Sequence, residues 1–427
     1  MAITKIIIVG AGPSGLLLTL LLARAGITVE LLEQTAALDT NPRASHYTAE
    51  SCYEFDRAGI LDTVQAEGFF PNGVSWRRLD DAPKTRLVAL RAPEPAPGEE
   101  ADEAFRYRMV CLPLHRLGKI LEEAVAGQPT AAIRYGYKVV ELGQDEGRAW
   151  VKVETPEGTT ETREADYVVG CDGANSIVRR RLFGDWVYPG FTWDKQIVAT
   201  NVYYDFEPYD YDDSQFFVHP EYWHMVAKIQ ADGLYRVTYG ETGGLTYDEL
   251  KERQPAKFAA FLPGNPTPDK YKLVNFSPYK VHQRCVDKMR VGRFLLAADA
   301  AHLCNPFGGL GLTGGIADVG TLYDSLVGIH TGKTDADFIL DKYDEVRRKI
   351  WNEVINPNSQ ENMRRLFNYA DADEAIEKDP FYKMLAHTVA PKKEEEPEAE
   401  AEKGPLKPNP GLMSLQYDIT QHFSDKP

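Results

Sequence analysis

One stretch of the chain, residues 295–315, gathers side chains whose types and spacing could do chemistry. It reads LLAADAAHLCNPFGGLGLTGG, so that Asp299, His302 and Cys304 lie close together and five glycines follow them. An acid beside an imidazole could act as a general base, and an imidazole or a thiolate could bind a metal. A thiolate could also be a nucleophile. The glycines offer another possibility, in which the bared backbone contacts a ligand.

The side chains of this stretch are weaker candidates than the backbone. A metal site is disfavoured because His302 has no second histidine at helical spacing. We expect His302 to hydrogen bond nearby backbone and Cys304 to be a small buried filler. A general base formed by His302 and Asp299 stays open until a ligand for Asp299 is considered.

Another cluster of glycines lies near the N-terminus. In chain order it is the first glycine cluster, and the glycines of residues 308–315 form the second glycine cluster. Gly10, Gly12 and Gly15 fit the pattern G-x-G-x-x-G, with Ser14 inside it, between the apolar run 3–9 and a predicted helix. These glycines permit a tight turn and let a pyrophosphate approach the helix N-terminus, whose N–H groups and dipole favour an anion. The alternative is a glycine-rich turn without a ligand.

The elements around this motif have the order that dinucleotide binding requires. A helix is predicted over 14–25 and a second strand over 28–32, which together complete a β-α-β unit. Glu33 follows the second strand, where a carboxylate can bind a ribose diol and would repel a 2′-phosphate. The sequence therefore predicts an adenine dinucleotide, either NAD or FAD.

Composition limits the remaining functions. The chain has 427 residues, 43% of them hydrophobic, which suffices for two or three folded units. Its formal charge of −16 argues against a nucleic-acid surface, which needs a basic face. The five cysteines are widely spaced with no C-x-x-C pair, so we expect reduced thiols and a cytoplasmic protein without a zinc site. Glycines and Arg24 interrupt the N-terminal apolar run, so we expect no membrane span.

Patterning along the chain predicts an α/β protein with an inserted sheet. A helix is predicted over 114–125, with strands over 132–141 and 149–154. Between Tyr188 and Val281, short alternating segments such as QIVATNVYY and LYRVTYGE predict an antiparallel sheet. Helices are predicted from Thr313 to about residue 385.

Two later segments favour one of these two dinucleotides. DYVVGCDGANSIVRR starts at Asp166 and carries Asp172-Gly173, which we call the DG motif. RFLLAAD leads into the glycine-rich stretch described first. With G-x-G-x-x-G, these motifs make the chain resemble the single-component (group A) FAD-dependent aromatic monooxygenases, the para-hydroxybenzoate hydroxylase-like family. The resemblance covers roughly residues 1–330. Ala298 departs from the family's glycine, Asn305 from a proline, Leu310 from glutamine or lysine and Thr313 from asparagine.

The resemblance implies a fold and a domain plan. The fold is a Rossmann-type FAD-binding domain interrupted by a mixed or antiparallel substrate sheet, with a C-terminal helical segment. The predicted parts are an FAD-binding domain over 1–75, 105–187 and 282–330, a substrate sheet over 76–104 and 188–281, C-terminal helices over 331–388, and an acidic low-complexity linker and tail over 389–427.

The resemblance also assigns cofactor residues. Glu33 would bind the adenosine ribose, Asp299 the ribityl chain, and Arg116 the phosphate region, while Asp172 would support FAD and the pyridine nucleotide. Arg43 would lie near flavin and NAD(P)H, and Pro306 would line the face where a flavin C4a-hydroperoxide forms. Backbone N–H groups of a helix starting around 312–316 would stabilise reduced flavin. The full predicted cofactor set is Gly10, Gly12, Ser14, Gly15, Glu33, Arg43, Arg116, Asp172, Asp299, Pro306, Gly309, Gly311 and Leu312.

The implied activity is hydroxylation or epoxidation of an aromatic or other electron-rich small molecule with O2 and NAD(P)H, NADPH being the expected form. No second G-x-G-x-x-G is present, as this family does without one. Candidates for a base that activates a phenol are His46, Tyr47, Tyr203, His219, His224 and Tyr239, and the candidate catalytic set is Pro306, Arg43, His46, Tyr203 and Tyr239. A mostly apolar roof is predicted from strand aromatics, with Phe217, Trp223 and Tyr235 as substrate residues and Phe216 and Tyr222 beside them.

Three alternatives remain at this point. A flavin-dependent halogenase would carry W-x-W-x-I-P, which Tyr222-Trp223-His224 does not match. An isoprenoid or quinone reductase suits the tyrosine-rich insert less well. A non-catalytic nucleotide-binding escort would not need the glycine-rich flavin loop. The substrate and the oligomeric state are left open.

Overall fold

The computed structural model describes residues 2–39, 45–79, 86–91, 103–389 and 415–423. The strands in these ranges are β1 (Lys5–Val9), β2 (Thr28–Glu33), β3 (His46–Tyr47), β4 (Gly73–Arg78), β5 (Arg86–Arg91), β6 (Val110–Cys111), β7 (Ala131–Tyr135), β8 (Lys138–Gln144), β9 (Ala149–Glu154), β10 (Thr160–Ala165), β11 (Tyr167–Gly170), β12 (Gly190–Tyr203), β13 (Ser214–Val218), β14 (His224–Lys228), β15 (Leu234–Thr242), β16 (Lys272–Cys285), β17 (Arg290–Val291), β18 (Phe294–Leu296) and β19 (His302–Leu303). The α-helices are α1 (Pro13–Arg24), α2 (Ala49–Arg57), α3 (Leu61–Glu67), α4 (Glu103–Arg106), α5 (Leu114–Ala126), α6 (Ile177–Phe183), α7 (Tyr247–Phe261), α8 (Leu310–His330), α9 (Ala336–Ile350), α10 (Asn356–Phe367), α11 (Ala372–Lys378) and α12 (Pro380–Val389).

The first layer is a six-stranded sheet in the order β17-β18-β11-β1-β2-β7. All of its neighbouring strands pair in parallel except β17 and β18. Ile6, Ile7 and Ile8 of β1 are fully buried, which shows that both faces of the sheet are covered. The unit β1-α1-β2 has the predicted β-α-β form, and it brings the first glycine cluster to the carboxyl end of the sheet.

The second layer is an eight-stranded sheet in the order β19-β16-β12-β15-β14-β13-β4-β5. Its neighbours are antiparallel, except that β13 and β4 run in parallel. The long strands β12 and β16, of 14 residues each, are neighbours near one edge of this sheet. The structure thus confirms the predicted fold class, a parallel nucleotide-binding sheet interrupted by a substrate sheet, with helices at the C-terminal end.

The two faces of the second sheet have different neighbours. On the face that we call the outer face, Val198, Val237 and Tyr239 pack against Phe258 and Phe261 of α7. A capping box of Thr246 and Glu249 fixes the start of that helix. On the opposite, inner face, Ile197, Trp223 and Val281 pack with Phe307 of the glycine-rich stretch and Met363 of α10. The inner face is therefore the one that lies over the nucleotide-binding layer.

Local details differ from the sequence-based expectations. The strand predicted over 132–141 is two strands, β7 and β8, because Gly136 turns between them with a φ of +76°. Strand β4 begins at Gly73, before the boundary predicted at residue 75, and β19 pairs with β16 of the second sheet although it lies in the segment 282–330. The domain boundaries as a whole stay predictions.

The end of the chain is partly structured. Of the predicted linker and tail over 389–427, residues 390–414 and 424–427 lie outside the described residues. Residues 415–423 pack on the first layer, with Leu415 2% and Ile419 0% exposed, so this part is no solvated tail. Within the described ranges, no helix combines the length and apolar character needed to span a bilayer. No cluster of three or more metal-binding side chains occurs in those ranges either.

Candidate active site

The first glycine cluster leaves room for a ligand at one position only. A Cβ added to Gly12, the N-cap residue of α1, would meet no atom within 4 Å. A Cβ on Gly10 would lie 2.6 Å from the carbonyl oxygen of Cys171, and one on Gly15 only 2.0 Å from that of Gly10. Gly10 and Gly15 are therefore required by protein packing, while Gly12 borders open space at a helix N-terminus, where a pyrophosphate would fit. Ser14 is buried in the first turn of α1.

Glu33 is held beside this cluster at the end of β2. Its Oε2 accepts a hydrogen bond from the N–H of Ala11 at 2.8 Å, and its Oε1 accepts from the N–H and the hydroxyl of Thr35. The carboxylate thus lies next to the phosphate cradle, where a ribose diol would follow. Its contact with adenosine stays a prediction.

Asp172 of the DG motif accepts hydrogen bonds at the start of helix α6. Its Oδ1 accepts from the Ser176 hydroxyl at 2.5 Å, and its Oδ2 accepts from the N–H groups of Ile177 and Val178. Burial raises the pKa of Asp172, while these hydrogen bonds lower it. Both oxygens therefore stabilise the start of α6, and the contribution of Asp172 to binding FAD and the pyridine nucleotide stays a prediction.

Arg179 connects the DG motif to the turn that carries Asp299, a contact that the sequence had not indicated. The guanidinium donates to the carbonyl oxygens of Ala174 and Ala300, and it lies 3.7 Å from the centre of the Tyr188 ring. The Tyr188 hydroxyl donates in turn to the backbone oxygen of Asp299 at 3.0 Å. Asp299 itself is exposed beside this network, in a 3-10 turn over Ala298–Ala300.

The second glycine cluster starts a long helix. Helix α8 begins at Leu310, slightly before the expected 312–316, and Gly309 is its N-cap with a φ of +68°. No side chain caps the helix, and a Cβ on Gly309 would meet nothing within 4 Å. Its first N–H groups therefore face open space, which suits stabilisation of negative charge on a flat ligand. Gly311 lies against Cys304, and Leu312 packs on the core.

The turn before this helix is held by amide side chains. Gln283 Oε1 accepts from the backbone N–H of Asn305 at 2.7 Å, and Asn305 Oδ1 accepts from the N–H of Phe307 at 3.0 Å. Asn305 Nδ2 donates to the carbonyl oxygen of Ser359 at 2.8 Å. Pro306 lies between the two anchored residues, so its position is set by the sheet and by α10.

His302 does not bond to nearby backbone as predicted. Its Nε2 lies 2.7 Å from Oδ2 of Asp318 on α8, and both side chains are buried. Burial alone would raise the pKa of Asp318, but His302 and Arg347 bring it down to about 2. His302 is therefore a structural partner of a buried carboxylate, which excludes both the metal and the Asp299-paired base interpretations. Burial raises the pKa of the Cys304 thiol to about 12, as suits a filler.

Buried polar atoms without partners occur on the inner face of the second sheet and on β3, whose His46 lies close enough to Arg236 to feel its charge. Arg236 Nε donates to Asn201 Oδ1 at 3.1 Å, which leaves the buried Nδ2 of Asn201 without a hydrogen-bond partner. His46 Nδ1 lies 3.1 Å from the Ser45 hydroxyl, and its buried Nε2 likewise has none. Burial, with the charge of Arg236, lowers the pKa of His46 to about 4. Buried polar atoms without partners mark places where a ligand would supply them.

Tyr279 belongs to the same wall. It pairs with Ile197, which places it on the inner face, and it is 38% exposed. Burial nevertheless raises its pKa to about 12, against the opposing charge of Arg236. Tyr279 therefore lies on the same face as Asn201 and Arg236. We call His46, Asn201, Arg236 and Tyr279 the inner-face polar cluster.

Three of the aromatic candidates lie on the wrong face. Phe217, Tyr235 and Tyr239 belong to or pack on the outer-face core under α7, and so they cannot line a pocket on the inner face. Tyr222 packs there as well, whereas Trp223 and Phe216 lie on the inner face. The sequence showed the alternation along the strands but not which set of side chains faces α7.

The other candidates for the base are held by packing or by structural hydrogen bonds, although the Tyr47 hydroxyl and His224 Nε2 also have no hydrogen-bond partner within the described residues. His224 is stacked between Phe217 and Phe261 at 4.1 and 4.2 Å, and His219 Nδ1 accepts from two backbone N–H groups. Tyr47 is fully buried, and Tyr203 donates to Asp232 at a strand end. Arg116 forms an exposed ion pair with Glu67. Arg43 lies outside the described residues.

The site fits FAD. Two helix N-termini without side-chain caps border open space at Gly12 and Gly309, and an exposed carboxylate, Asp299, stands beside the second. Such an arrangement accommodates a pyrophosphate, a polyhydroxyl chain and a flat ring in sequence. When bound, FAD supplies the oxygenating chemistry, and the protein supplies placement and electrostatics. The fold and site therefore define a flavoprotein of the doubly wound class.

Comparison with known proteins gives the same answer. The family model described as an FAD binding domain matches residues 3–357. A para-nitrophenol 4-monooxygenase from Pseudomonas sp. (strain WBC-3) is 33% identical over 88% of this chain and 91% of its own. A 6-hydroxy-3-succinoylpyridine 3-monooxygenase from Pseudomonas putida (strain DSM 28022 / S16) is 36% identical over 85% and 89%. The crystal structure of a p-nitrophenol 4-monooxygenase from Pseudomonas putida DLL-E4 superposes with a TM-score of 0.81 at 32% identity, covering 91% and 94%.

The chain belongs to the family of FAD-binding monooxygenases related to para-hydroxybenzoate hydroxylase. It is an FAD-dependent aromatic hydroxylase. The predictions of the family, the cofactor FAD and the enzyme class are confirmed.

Proposed function

We propose that this enzyme hydroxylates a small phenol or hydroxypyridine, with NAD(P)H as the reductant, and holds the ring against the inner-face polar cluster. The observation that carries the proposal is the pair of unpartnered buried atoms, His46 Nε2 and Asn201 Nδ2, near Arg236. The names of the two relatives, a nitrophenol and a hydroxypyridine monooxygenase, agree with a ring that carries an ionisable hydroxyl.

The cluster can favour the ionised ring, which is richer in electrons and therefore reacts faster with an electrophilic oxygen donor. Arg236 provides a positive charge in an enclosed wall, where an anion is stabilised more strongly than in water. His46, whose pKa is lowered to about 4, is neutral near pH 7. With a proton on Nδ1 toward Ser45, its Nε2 is free to accept a hydrogen bond from the ring hydroxyl and so to orient that hydroxyl beside Arg236.

The test combines binding with turnover. We expect the purified protein to bind FAD, and 4-nitrophenol and a panel of other para-substituted phenols and hydroxypyridines to stimulate oxidation of NADH or NADPH. At least one product should gain the mass of one oxygen atom. Binding of FAD without coupled oxidation on any of these rings would overturn the proposal.

A variant tests the role of His46. We expect His46→Asn to lower kcat by about 100-fold near neutral pH, because the acceptor that orients the ring hydroxyl is lost. The defect should shrink above the pKa of the free phenol, where the substrate is already ionised. His219→Asn, on a histidine whose ring accepts from local backbone, is the matched control and should retain kcat. A pH-independent defect in His46→Asn would contradict the proposed role.

A further inference from the structure

A fully buried ion pair joins the helices α8 and α9. Arg347 of α9 donates from Nε to Oδ1 of Asp318 on α8 at 2.6 Å, and the two side chains are completely buried. His302 occupies the other carboxylate oxygen. Such a group is expensive to desolvate and destabilising when only one partner is removed. Because the pair lies beside a cofactor site, the backbone segments that it fixes in place bear on cofactor binding.

On one side, the pair holds the turn that carries Asp299. The same Oδ2 of Asp318 that meets His302 accepts the backbone N–H of Ala298 at 2.9 Å. Ala298 has a φ of +56°, a conformation that an alanine adopts only under constraint. The next residue is Asp299, the predicted ligand of the ribityl chain. The buried carboxylate thus fixes the backbone from which that ligand projects.

On the other side, the pair holds the C-terminal segment. We call residues 415–423 the C-terminal strap. Arg347 Nη1 donates to the carbonyl oxygen of Leu415 at 2.6 Å, and Nη2 donates to that of Gly314 in α8 at 3.2 Å. One guanidinium therefore joins the strap to the helix whose N-terminus faces the flavin site.

The strap itself is firmly docked. Leu415 packs with Cys285 and Ala317, and Ile419 is fully buried in the main core. Gln416 Nε2 donates to the carbonyl oxygen of Glu50 on α2. At its far end, the Phe423 ring packs closely against Gly328 of α8, and a Cβ added to Gly328 would lie only 2.5 Å from that ring. The strap therefore contacts α8 near its beginning and near its end.

We propose that Asp318 and Arg347 are positioning residues for the turn that carries Asp299, and that the C-terminal strap holds Arg347 in place. The affinity for FAD then depends on a segment that is distant in sequence from the residues predicted to bind FAD. The strap supplies the acceptor that occupies Nη1 of Arg347. When the strap is loosened, the guanidinium loses that partner and α8 loses an apolar cover, and the Ala298–Asp299 turn loses its fixed support. The inference rests on the assignment of Asp299 to FAD, and not on the substrate proposed above.

The test measures FAD affinity rather than turnover. Asp299→Ala, which removes the direct contact, sets the scale for loss of FAD in a flavin fluorescence titration. We expect Ile419→Ala, in the strap, to raise the Kd for FAD by about tenfold. Arg347→Lys, which keeps the charge beside Asp318 but cannot reach both carbonyl oxygens, should fall between wild type and Arg347→Met.

A control separates positioning from general destabilisation. Leu250→Ala removes a buried side chain of similar size from the outer-face core, away from the cofactor. We expect it to lower Tm as Ile419→Ala does while changing the Kd for FAD by less than about twofold. Equal effects of the two variants on the Kd would overturn the proposal, as would an unchanged Kd in Ile419→Ala despite a lowered Tm.

The coupling must also act in the reverse direction. If the strap favours FAD binding, added FAD should slow hydrogen exchange of the amides of residues 415–423 in the wild-type protein. Arg347→Met should abolish this protection even at FAD concentrations that saturate it. Protection that persists in Arg347→Met would show that the coupling bypasses the ion pair and would contradict the assigned route.

Discussion

At the scale of single residues, Ala298 shows how this chain departs from its family at the cofactor. It stands where the family has glycine, and its φ of +56° is one that glycine adopts without penalty. The methyl group lies against Gly315, where an added Cβ would approach it to 2.6 Å. Gly315 of α8 thus leaves room for the methyl group of Ala298. The backbone strain of Ala298 persists because the surrounding contacts fix its conformation.

We expect Ala298→Gly to leave the free energy of unfolding unchanged or to raise it by about 0.5 kcal/mol. The relief of a left-handed alanine, worth roughly 1 kcal/mol, offsets the greater unfolded-state entropy of glycine. Ala300→Gly, in the same turn and without a positive φ, should instead lose about 1 kcal/mol or more. Urea unfolding of the two FAD-free variants measures the difference. Equal losses would show that the contact with Gly315 outweighs the backbone strain.

At the scale of elements, the glycine cluster and α1 divide two tasks between glycines that look alike in the sequence. Gly15 lets the helix pack against the carbonyl oxygen of Gly10, and Gly12 leaves space in front of the helix N-terminus. The first is a requirement of folding and the second a requirement of binding. The same division applies at α8, where Gly309 opens space at the helix N-terminus and Gly315 receives Ala298.

We expect Gly12→Ala to abolish tight FAD binding with little change in the stability of the FAD-free protein. Its φ of −69° suits alanine and the added methyl meets no protein atom, so only the ligand is obstructed. Gly15→Ala should destabilise the FAD-free protein by several kcal/mol, since overpacking against backbone cannot relax. Thermal unfolding with and without FAD distinguishes the two. A Gly12→Ala variant that binds FAD normally would place the pyrophosphate elsewhere.

At the scale of the whole molecule, buried histidines make stability depend on pH. His224 is fully buried between two phenylalanine rings, and burial lowers its pKa from 6.5 to about 3. The unfolded chain binds a proton there below pH 6.5 while the folded chain does not. The stabilising contribution is therefore complete above pH 6.5 and is lost as the pH falls toward 3.

We expect this one group to reduce the free energy of unfolding by about 2 kcal/mol between pH 7.5 and pH 5. Urea unfolding at the two pH values measures the loss, and His224→Leu should show a correspondingly smaller one. His46, with its pKa lowered to about 4, acts in the same direction, and Glu54, with its pKa raised to about 7, acts in the opposite one. Both remain in the variant, so the difference isolates His224. An identical pH dependence in the two proteins would show that the folded and unfolded chains bind a proton at His224 equally.

Much of the cofactor site could be predicted from the sequence because it is built from local backbone. Gly10, Gly12 and Gly15 lie between a strand and a helix, and Asp172-Gly173 and the glycines after Asp299 follow strands in the same way. Turns of this kind require particular residue types at fixed spacing, so the pattern survives in the sequence alone. The inserted sheet could be predicted as well, because alternation marks half-buried strands.

Only the tertiary structure decided what each side chain faces. Alternation separates Trp223 from Tyr239 but cannot say which set meets α7, because either face of a strand can be the buried one. The partner of His302 lies on another element, and Arg347 reaches both that partner and the strap at the far end of the chain. Such contacts join residues distant in sequence, and no local pattern records them. The sequence alone therefore determined the cofactor and the class of chemistry, and the packing of distant elements determined which residues surround the substrate and which hold the cofactor turn in place.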